Sequence, residues 1–280
     1  MTPAAVAIVG AGRVGLTLAR ALTRSGASVR LLDHTAQPAV IPVVELDWHD
    51  ALAASDLVVI AVPDDALAEV VGKLASKKAI RSGTVVLHTS GLHDSSVLEP
   101  LAARGAVTGS WHPLRSIPVS GEGDAFTGVA AILEGGAVAV AAGRALAERL
   151  GMAPILELPA AGKARYHAAA VFASNYLVVL ADIAARLARD AGAGEASGTL
   201  FLPIMQQTLA NLAGRDPADA LTGPVRRGDV GTVAAHLAVL EGDDRAAYLV
   251  LAREALRLAE AAGLDAARVG AMRRLVIEAR

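Results

Sequence analysis

Apolar residues follow two rhythms along this chain. Over the first half, short β-branched runs at 4–9, 29–32, 57–62 and 85–87 are bounded by Gly, Asp, Pro or a polar turn, the pattern of strands. Between the first two, residues 13–25 place Val14, Leu18 and Leu22 at helical spacing, with Gly26 as a stop signal. Strand, helix and strand at this spacing predict a βαβ unit of a parallel sheet. Further strands are predicted at 106–110, 129–133 and 154–158, with a helix over 138–150. Beyond about 158 the strand-like runs cease. Helical patterns then cover 162–191, 198–213, 232–240, 243–262 and 265–280, and Leu249, Ala252, Leu256 and Ala259 share one apolar face. The plan is a doubly wound, mainly parallel α/β domain over 1–158, followed by an all-α domain over 159–280.

Composition narrows the function classes. Hydrophobic residues make up 54% and aromatics 3%, so the core is built from Ala, Val and Leu, which suits parallel strands and close-packed helices. A formal charge of -2 gives no electrostatic case for nucleic acid. With no cysteine there is neither disulfide nor thiolate chemistry, and no His-rich metal-binding spacing stands out. Two uncharged runs, 166–181 and 196–214, invite a membrane reading. The first is shorter than the roughly 20 apolar residues of a span, and the second is broken by Pro203, Gln206, Gln207 and Asn211. No basic stretch of a secretory signal opens the chain, and a cytoplasmic protein without a membrane partner is expected.

Val9-Gly10-Ala11-Gly12-Arg13-Val14-Gly15 carries the spacing G-x-G-x-x-G between a strand and a helix. In that context Gly10 permits a tight turn, Gly12 lets backbone approach a pyrophosphate, and Gly15 lets helix and strand pack closely. The helix N-terminus supplies free N–H groups and partial positive charge. Asp33 ends the next strand about 20 residues on, where an acid accepts hydrogen bonds from an adenine ribose. It favours NAD, whereas His34 and Arg30 suit a 2′-phosphate, so NAD or NADP is the expected cofactor. Val62-Pro63-Asp64 ends another strand, either as a wall against the cofactor or as a proline-stopped strand before a capped helix.

Four polar clusters interrupt apolar surroundings. His88-Thr89-Ser90-Gly91 follows a strand; Ser90 and nearby N–H groups either hold a substrate oxygen or cap the following helix. His112, in Trp111-His112-Pro113-Leu114, is a proton donor or a loop histidine. On the helix that follows, Lys163, His167 and Ser174 share a stripe, with Asn175 about a quarter-turn round. Thr222 and Arg227 lie in the turn 221–229, where an arginine forks onto a carboxylate or Asp229 caps a helix.

These motifs, in order, resemble one group of Rossmann-like oxidoreductases. Tyr166-His167-Ala168-Ala169-Ala170, Ser174-Asn175-Tyr176, Leu221-Thr222-Gly223-Pro224, Arg227-Gly228-Asp229 and His236 extend the resemblance into the helical half, which is known as domain of unknown function 2520. The group is similar in plan to β-hydroxyacid dehydrogenases, ketopantoate reductases and pyrroline-carboxylate reductases. The resemblance implies a helical domain that supports a homodimer and an interdomain substrate cleft. It also implies hydride transfer between NAD(P) and a small 2-oxo acid, with ketopantoate favoured. The β-hydroxyacid enzymes place a lysine one turn before the helix asparagine, where this chain has Val171. His167 is therefore the expected acid, with Lys163 in reserve, Ser90 and Asn175 orienting the substrate, and Arg227 on its carboxylate. A prephenate-dehydrogenase-like enzyme and a non-catalytic dinucleotide sensor are the alternatives.

Overall fold

The computed structural model describes residues 5–32, 48–115 and 125–278. In chain order the first half runs β1 (Ala5–Val9), α1 (Arg13–Arg24), β2 (Ser28–Leu32), α2 (Trp48–Ala53), β3 (Leu57–Ile60), α3 (Asp64–Lys77), β4 (Val85–His88), α4 (Glu99–Ala102), β5 (Val107–Pro113), β6 (Ala131–Gly135), α5 (Ala137–Arg149) and β7 (Ile155–Glu157). The strands form one sheet in the order β2-β1-β3-β4-β5-β6-β7. All neighbours are parallel except β5 and β6. From β1 the chain steps to β2 on one side and then to β3 on the other. This topological switch point is where open α/β sheets bind ligands, at the carboxyl ends of the strands.

The short apolar runs are strands because both faces of the sheet are covered. Val6, Ile8, Leu57, Val59 and Leu87 pack with Leu18 and Leu22 of α1 and Leu146 of α5. The alternate residues Ala7, Val9, Val58, Ile60 and Val86 pack with Leu52, Leu67 and Val71 on the opposite face. Each fully buried leucine of this kind contributes about 1.5–3 kcal/mol. β3 stops at Ile60, short of the run that ends at 62.

The remaining helices are α6 (Lys163–Ala173), α7 (Asn175–Asp190), α8 (Leu202–Leu212), α9 (Pro217–Ala220), α10 (Pro224–Arg227), α11 (Val230–Val239), α12 (Gly242–Ala261) and α13 (Ala266–Glu278). The single helix expected over 162–191 is interrupted at Ser174, whose backbone leaves helical geometry at φ -126° and ψ -66°. The Ser174 hydroxyl donates back to Ala170 O at 2.8 Å, a bond that bends helices. α8 begins at Leu202 rather than 198 because Pro203 fits only the first turn. Two compact units result, Met1–Asn175 and Tyr176–Arg280. The division falls after 175 rather than after 158, because α6 is fastened to the sheet through Lys163.

The second unit has its own core of Val233, Leu249, Leu256, Val269 and Met272. The expected stripe of Leu249, Ala252, Leu256 and Ala259 is buried. Arg186 of α7 donates two bonds of 2.9 Å to Asp244 of α12. The outer sides of α7 and α8 are bare: Val178 is 70% and Ile204 63% exposed. Taken with α6, the stretch Ala160–Asp190 is long and apolar enough to cross a membrane by length and composition alone. It outruns the 166–181 segment picked out by sequence because it takes in the charged flanks, Lys163 and Arg165 on one side and Asp182, Arg186, Arg189 and Asp190 on the other.

Candidate active site

Three glycines organise the loop at the switch point, for different reasons. Gly10 has φ 108°, and a Cβ there would lie 2.5 Å from Ala61 O and 2.9 Å from Val62 Cγ1. The loops after β1 and β3 therefore touch, with Ala61 and Val62 beside the glycine turn. A Cβ on Gly15 would fall 1.9 Å from Gly10 O, so α1 rests directly on the turn. Gly12 differs: its φ is -69°, and a Cβ would meet nothing within 4 Å. Neither conformation nor packing demands glycine at 12. Its open side lies at the N-terminus of α1, whose first turn carries no acid and whose N–H groups have no side-chain cap. Ala11 and Val14 are half-buried and Arg13 is exposed. Asp33 and His34, expected at the ribose, lie outside the described residues.

A cavity of about 590 Å³ is lined by His112, Arg115, Tyr166, His167, Ser174 and Asn175, over an apolar floor from α6. β5 ends at the His112-Pro113 step, and α6 brings Tyr166 across to it. His112 Nδ1 lies 2.9 Å from the Tyr166 hydroxyl, with the rings edge to face at 5.6 Å. Burial, reinforced by the positive charge of Lys163, lowers the His112 pKa to about 4. Burial pushes the Tyr166 phenol up to about 12. At neutral pH the pair is a neutral imidazole and a protonated phenol. The Ser174 hydroxyl is within 2.8 Å of both Ala170 O and Asn175 Oδ1, so Asn175 sits at the helix break.

Other expected residues sit elsewhere. Lys163 is 1% exposed, beneath the cavity rather than lining it. Its ammonium donates to Ser90 O at 2.9 Å and Ser110 Oγ at 2.6 Å, and burial lowers its pKa to about 8. The Ser90 hydroxyl accepts from the N–H groups of Leu92 and His93, closing a local turn; it neither lines the cavity nor caps the helical turn at 95–98, which Asp94 caps by accepting from Ser96 N–H. His88 accepts from Ser90 N–H at Nδ1 and donates to Asp94 O from Nε2, which fixes one neutral tautomer. Thr222 and Arg227 line a separate cavity of about 660 Å³ in the second unit, with Arg226 and Arg268. Asp229 caps α11 there by accepting from Thr232 N–H at 3.1 Å. Sequence reasoning passed over Tyr166 and Arg115 as chemical groups. Their only signals were adjacency: Tyr166 to His167 in an alanine-rich helix, and Arg115 to the 112–114 motif.

A family model described as domain of unknown function (DUF2520) matches residues 129–278, more than half of the chain. The chain belongs to that family. A Rossmann-like domain model matches residues 2–113 of this DUF2520 protein. Its fold is similar to that of a Bacteroides fragilis protein described as an NADP oxidoreductase, with TM-score 0.74 and 23% identity over 90% of this chain and 97% of that one. Protein TM1727 from Thermotoga maritima aligns with TM-score 0.70 and 21% identity, over 91% and 98%. A reductive aminase from Aspergillus terreus, in complex with NADPH and ethyl-5-oxohexanoate, gives 0.61 and 20%, over 100% and 94%. Curated proteins gave no match.

Two experiments follow from this geometry. The glycines should separate by role. Gly10→Ala and Gly15→Ala should lower the melting temperature, whereas Gly12→Ala should melt like the wild type and bind nicotinamide dinucleotide at least about tenfold more weakly, a loss of about 1.4 kcal/mol. Equal dinucleotide affinity for Gly12→Ala and wild type would show that the open side of the loop holds no ligand. Stability should also depend on acid. His88 and His112 have folded pKa values near 4 against 6.5 unfolded, so the unfolded chain takes up protons first. Their contribution is complete above pH 6.5 and is lost between 6.5 and 4, at roughly 3 kcal/mol for His88. Urea unfolding across that range should show a falling midpoint, less steep in His88→Asn; a flat profile contradicts the buried neutral state.

Proposed function

We propose that this protein is an NAD(P)-dependent oxidoreductase that reduces the carbonyl of a small 2-oxo acid, with ketopantoate the first substrate to try. Gly12 carries the reading: it is a glycine that the fold does not require, open at a helix N-terminus on the sheet's switch point. The loop Gly10, Ala11, Gly12, Arg13, Val14 and Gly15 would hold the pyrophosphate, with Val62 and Pro63 as the adjoining wall. When bound, the cofactor supplies the hydride to the substrate carbon. The chain supplies the proton. Negative charge growing on the substrate oxygen is met by the Tyr166 phenol, which is protonated at neutral pH. With its proton on Nδ1, His112 donates to the phenol oxygen, turns the phenol O–H toward the cavity, and stabilises the phenolate left behind.

Tyr166 replaces His167 as the acid because it has a partner that orients it. Among the described residues His167 has no hydrogen-bond partner; it lines the same cavity and contacts the substrate. Arg115 is the carboxylate anchor within the first unit: one of its N–H groups donates to Ala125 O, and the guanidinium lines the cavity. Ser174 and Asn175 orient the substrate. The likeness to a reductive aminase favours a second acceptor, a C=N bond, for which the same residues serve.

A second copy of the chain is the proposed cover for α7 and α8. An apolar surface formed by Val178, Val179, Ile204 and Leu209, each half or more exposed, is what an association face presents.

NADPH and NADH should each be tested with ketopantoate and with a cyclic imine. Tyr166→Phe should keep cofactor affinity and lose about 100-fold or more in kcat, the usual worth of a positioned acid. Undiminished kcat in Tyr166→Phe removes the phenol from the mechanism, and cofactor binding without turnover of either acceptor points to a sensor. Light scattering should report a dimer that Val178→Asp with Ile204→Asp converts to monomer. A monomeric wild type that floats with liposomes would assign the apolar face to a membrane instead.

A further inference from the structure

The reaction above leaves the most deeply buried charge without a task. Lys163 is among the largest fully buried side chains, and its ammonium holds the carbonyl of Ser90. In a planar trans peptide the C=O and the following N–H point in opposite directions. With the Ser90 carbonyl turned to Lys163, the Gly91 N–H points away from it. The neighbouring amides are all committed. Thr89 N–H donates to Ile60 O, Ser90 N–H to His88 Nδ1, and the Leu92 and His93 N–H groups to Ser90 Oγ. Gly91 is buried, yet its N–H finds no acceptor among the described residues. A buried N–H left unpaired is costly and uncommon.

Gly91 is also pressed against the cavity wall. A Cβ there would lie 2.8 Å from His167 Cδ2 and 3.0 Å from His112 Nε2, so only glycine fits beside the two imidazoles. Ser110 Oγ shares the Lys163 ammonium and lies 3.4 Å from Ser90 O, which fixes the carbonyl from a second strand.

We propose that the Gly91 N–H donates to a carbonyl or carboxylate oxygen of the bound ligand, and that Lys163 is a positioning residue that aims and polarises this amide through the Ser90 carbonyl. A cation on the carbonyl oxygen draws electron density from the N–H of the same peptide, so the donor strengthens where charge develops on its acceptor. Two sources share this acceptor chemistry: the carboxamide of a nicotinamide and the oxygens of a 2-oxo acid. The choice of ligand rests on the function proposed above; the coupling of Lys163 to Gly91 does not. The charged and titratable groups that act on Lys163 are Glu134 of β6, Asp64 of α3 and Asp94 after β4, and Lys163 in turn acts on His88 and His112.

The test is NMR on the full chain, with Gly91 assigned by paired serine-carbonyl and glycine-nitrogen labelling. Without ligand, raising pH from 7 to 9.5 should move the Gly91 amide with a midpoint near 8, as Lys163 loses its proton. His88 and His112, near 4, are silent in that window. This titration needs no variant, and a stationary Gly91 amide overturns the coupling. In the ligand arms, NADPH alone and NADP with oxamate are added separately, and the arm in which Gly91 first moves downfield names the source of the oxygen. Lys163→Met, which removes the charge but keeps the bulk, should weaken binding in that arm about tenfold and abolish the pH response. Movement of Gly10, Gly12 and Gly15 with Gly91 unmoved in both arms sinks the proposal. If the three loop glycines also stay still, the cofactor reading has failed, and the ligand-free titration still judges Lys163.

Discussion

One ammonium group fastens the chemistry of this protein to its scaffold. Lys163 opens α6, and its two hydrogen bonds reach the turn after β4 and the middle of β5. Burying a lysine costs several kcal/mol in desolvation, and among the described residues this one forms no direct ion pair to offset the cost. Its nearest compensation is through-space attraction to Glu134, itself buried and held by the Ser95 N–H and hydroxyl. An apolar residue would pack α6 on the sheet as well. The ammonium adds direction, because its acceptors fix the rotation of α6 about its axis, and that rotation delivers Tyr166, one turn on, to His112.

The glycine loop works by a different constraint, that of space. Gly10 and Gly15 are excluded volumes: carbonyl oxygen stands where their Cβ atoms would be. They make the contact between α1, β1 and the end of β3 closer than side chains allow, which aims the helix N-terminus at the switch point. Gly12 is glycine against open space. Only the first two can be explained by the protein alone, and that asymmetry separates architecture from ligand.

Much of this was legible in sequence. Strands buried on both faces read as unbroken apolar runs, and the buried face of α12 read as a stripe at helical spacing, because both depend on local periodicity. The glycine spacing was legible because its neighbours, a strand and a helix, were. What escaped was long-range or counter to composition. Tyr166 meets His112 across 54 residues, and nothing in either motif encodes that meeting. Lys163 looked like a member of a polar stripe facing a cleft, since lysines are seldom buried. Its burial moved the end of the first unit from 158 to Asn175. The break at Ser174 was hidden for a subtler reason: a serine that bonds back to Ala170 O has the same sequence signature as one that points into a site.

The choice of acid turns on what a buried cavity does to charge. His112 is held neutral by desolvation and by Lys163, so it offers no imidazolium near neutral pH. A phenol at about 12 is a weak acid in the resting state, but in the proposed reaction it meets an oxygen whose basicity climbs as hydride arrives. An alkoxide is far more basic than a phenolate, so proton transfer becomes favourable only as the carbon–hydrogen bond forms. The same burial that disables the histidine as an acid keeps the tyrosine protonated until it is needed. In the proposed reaction His112 contributes as a fixed N–H donor to the phenolate oxygen, a role that a neutral imidazole fills and an ionised one would forfeit by costing more to bury.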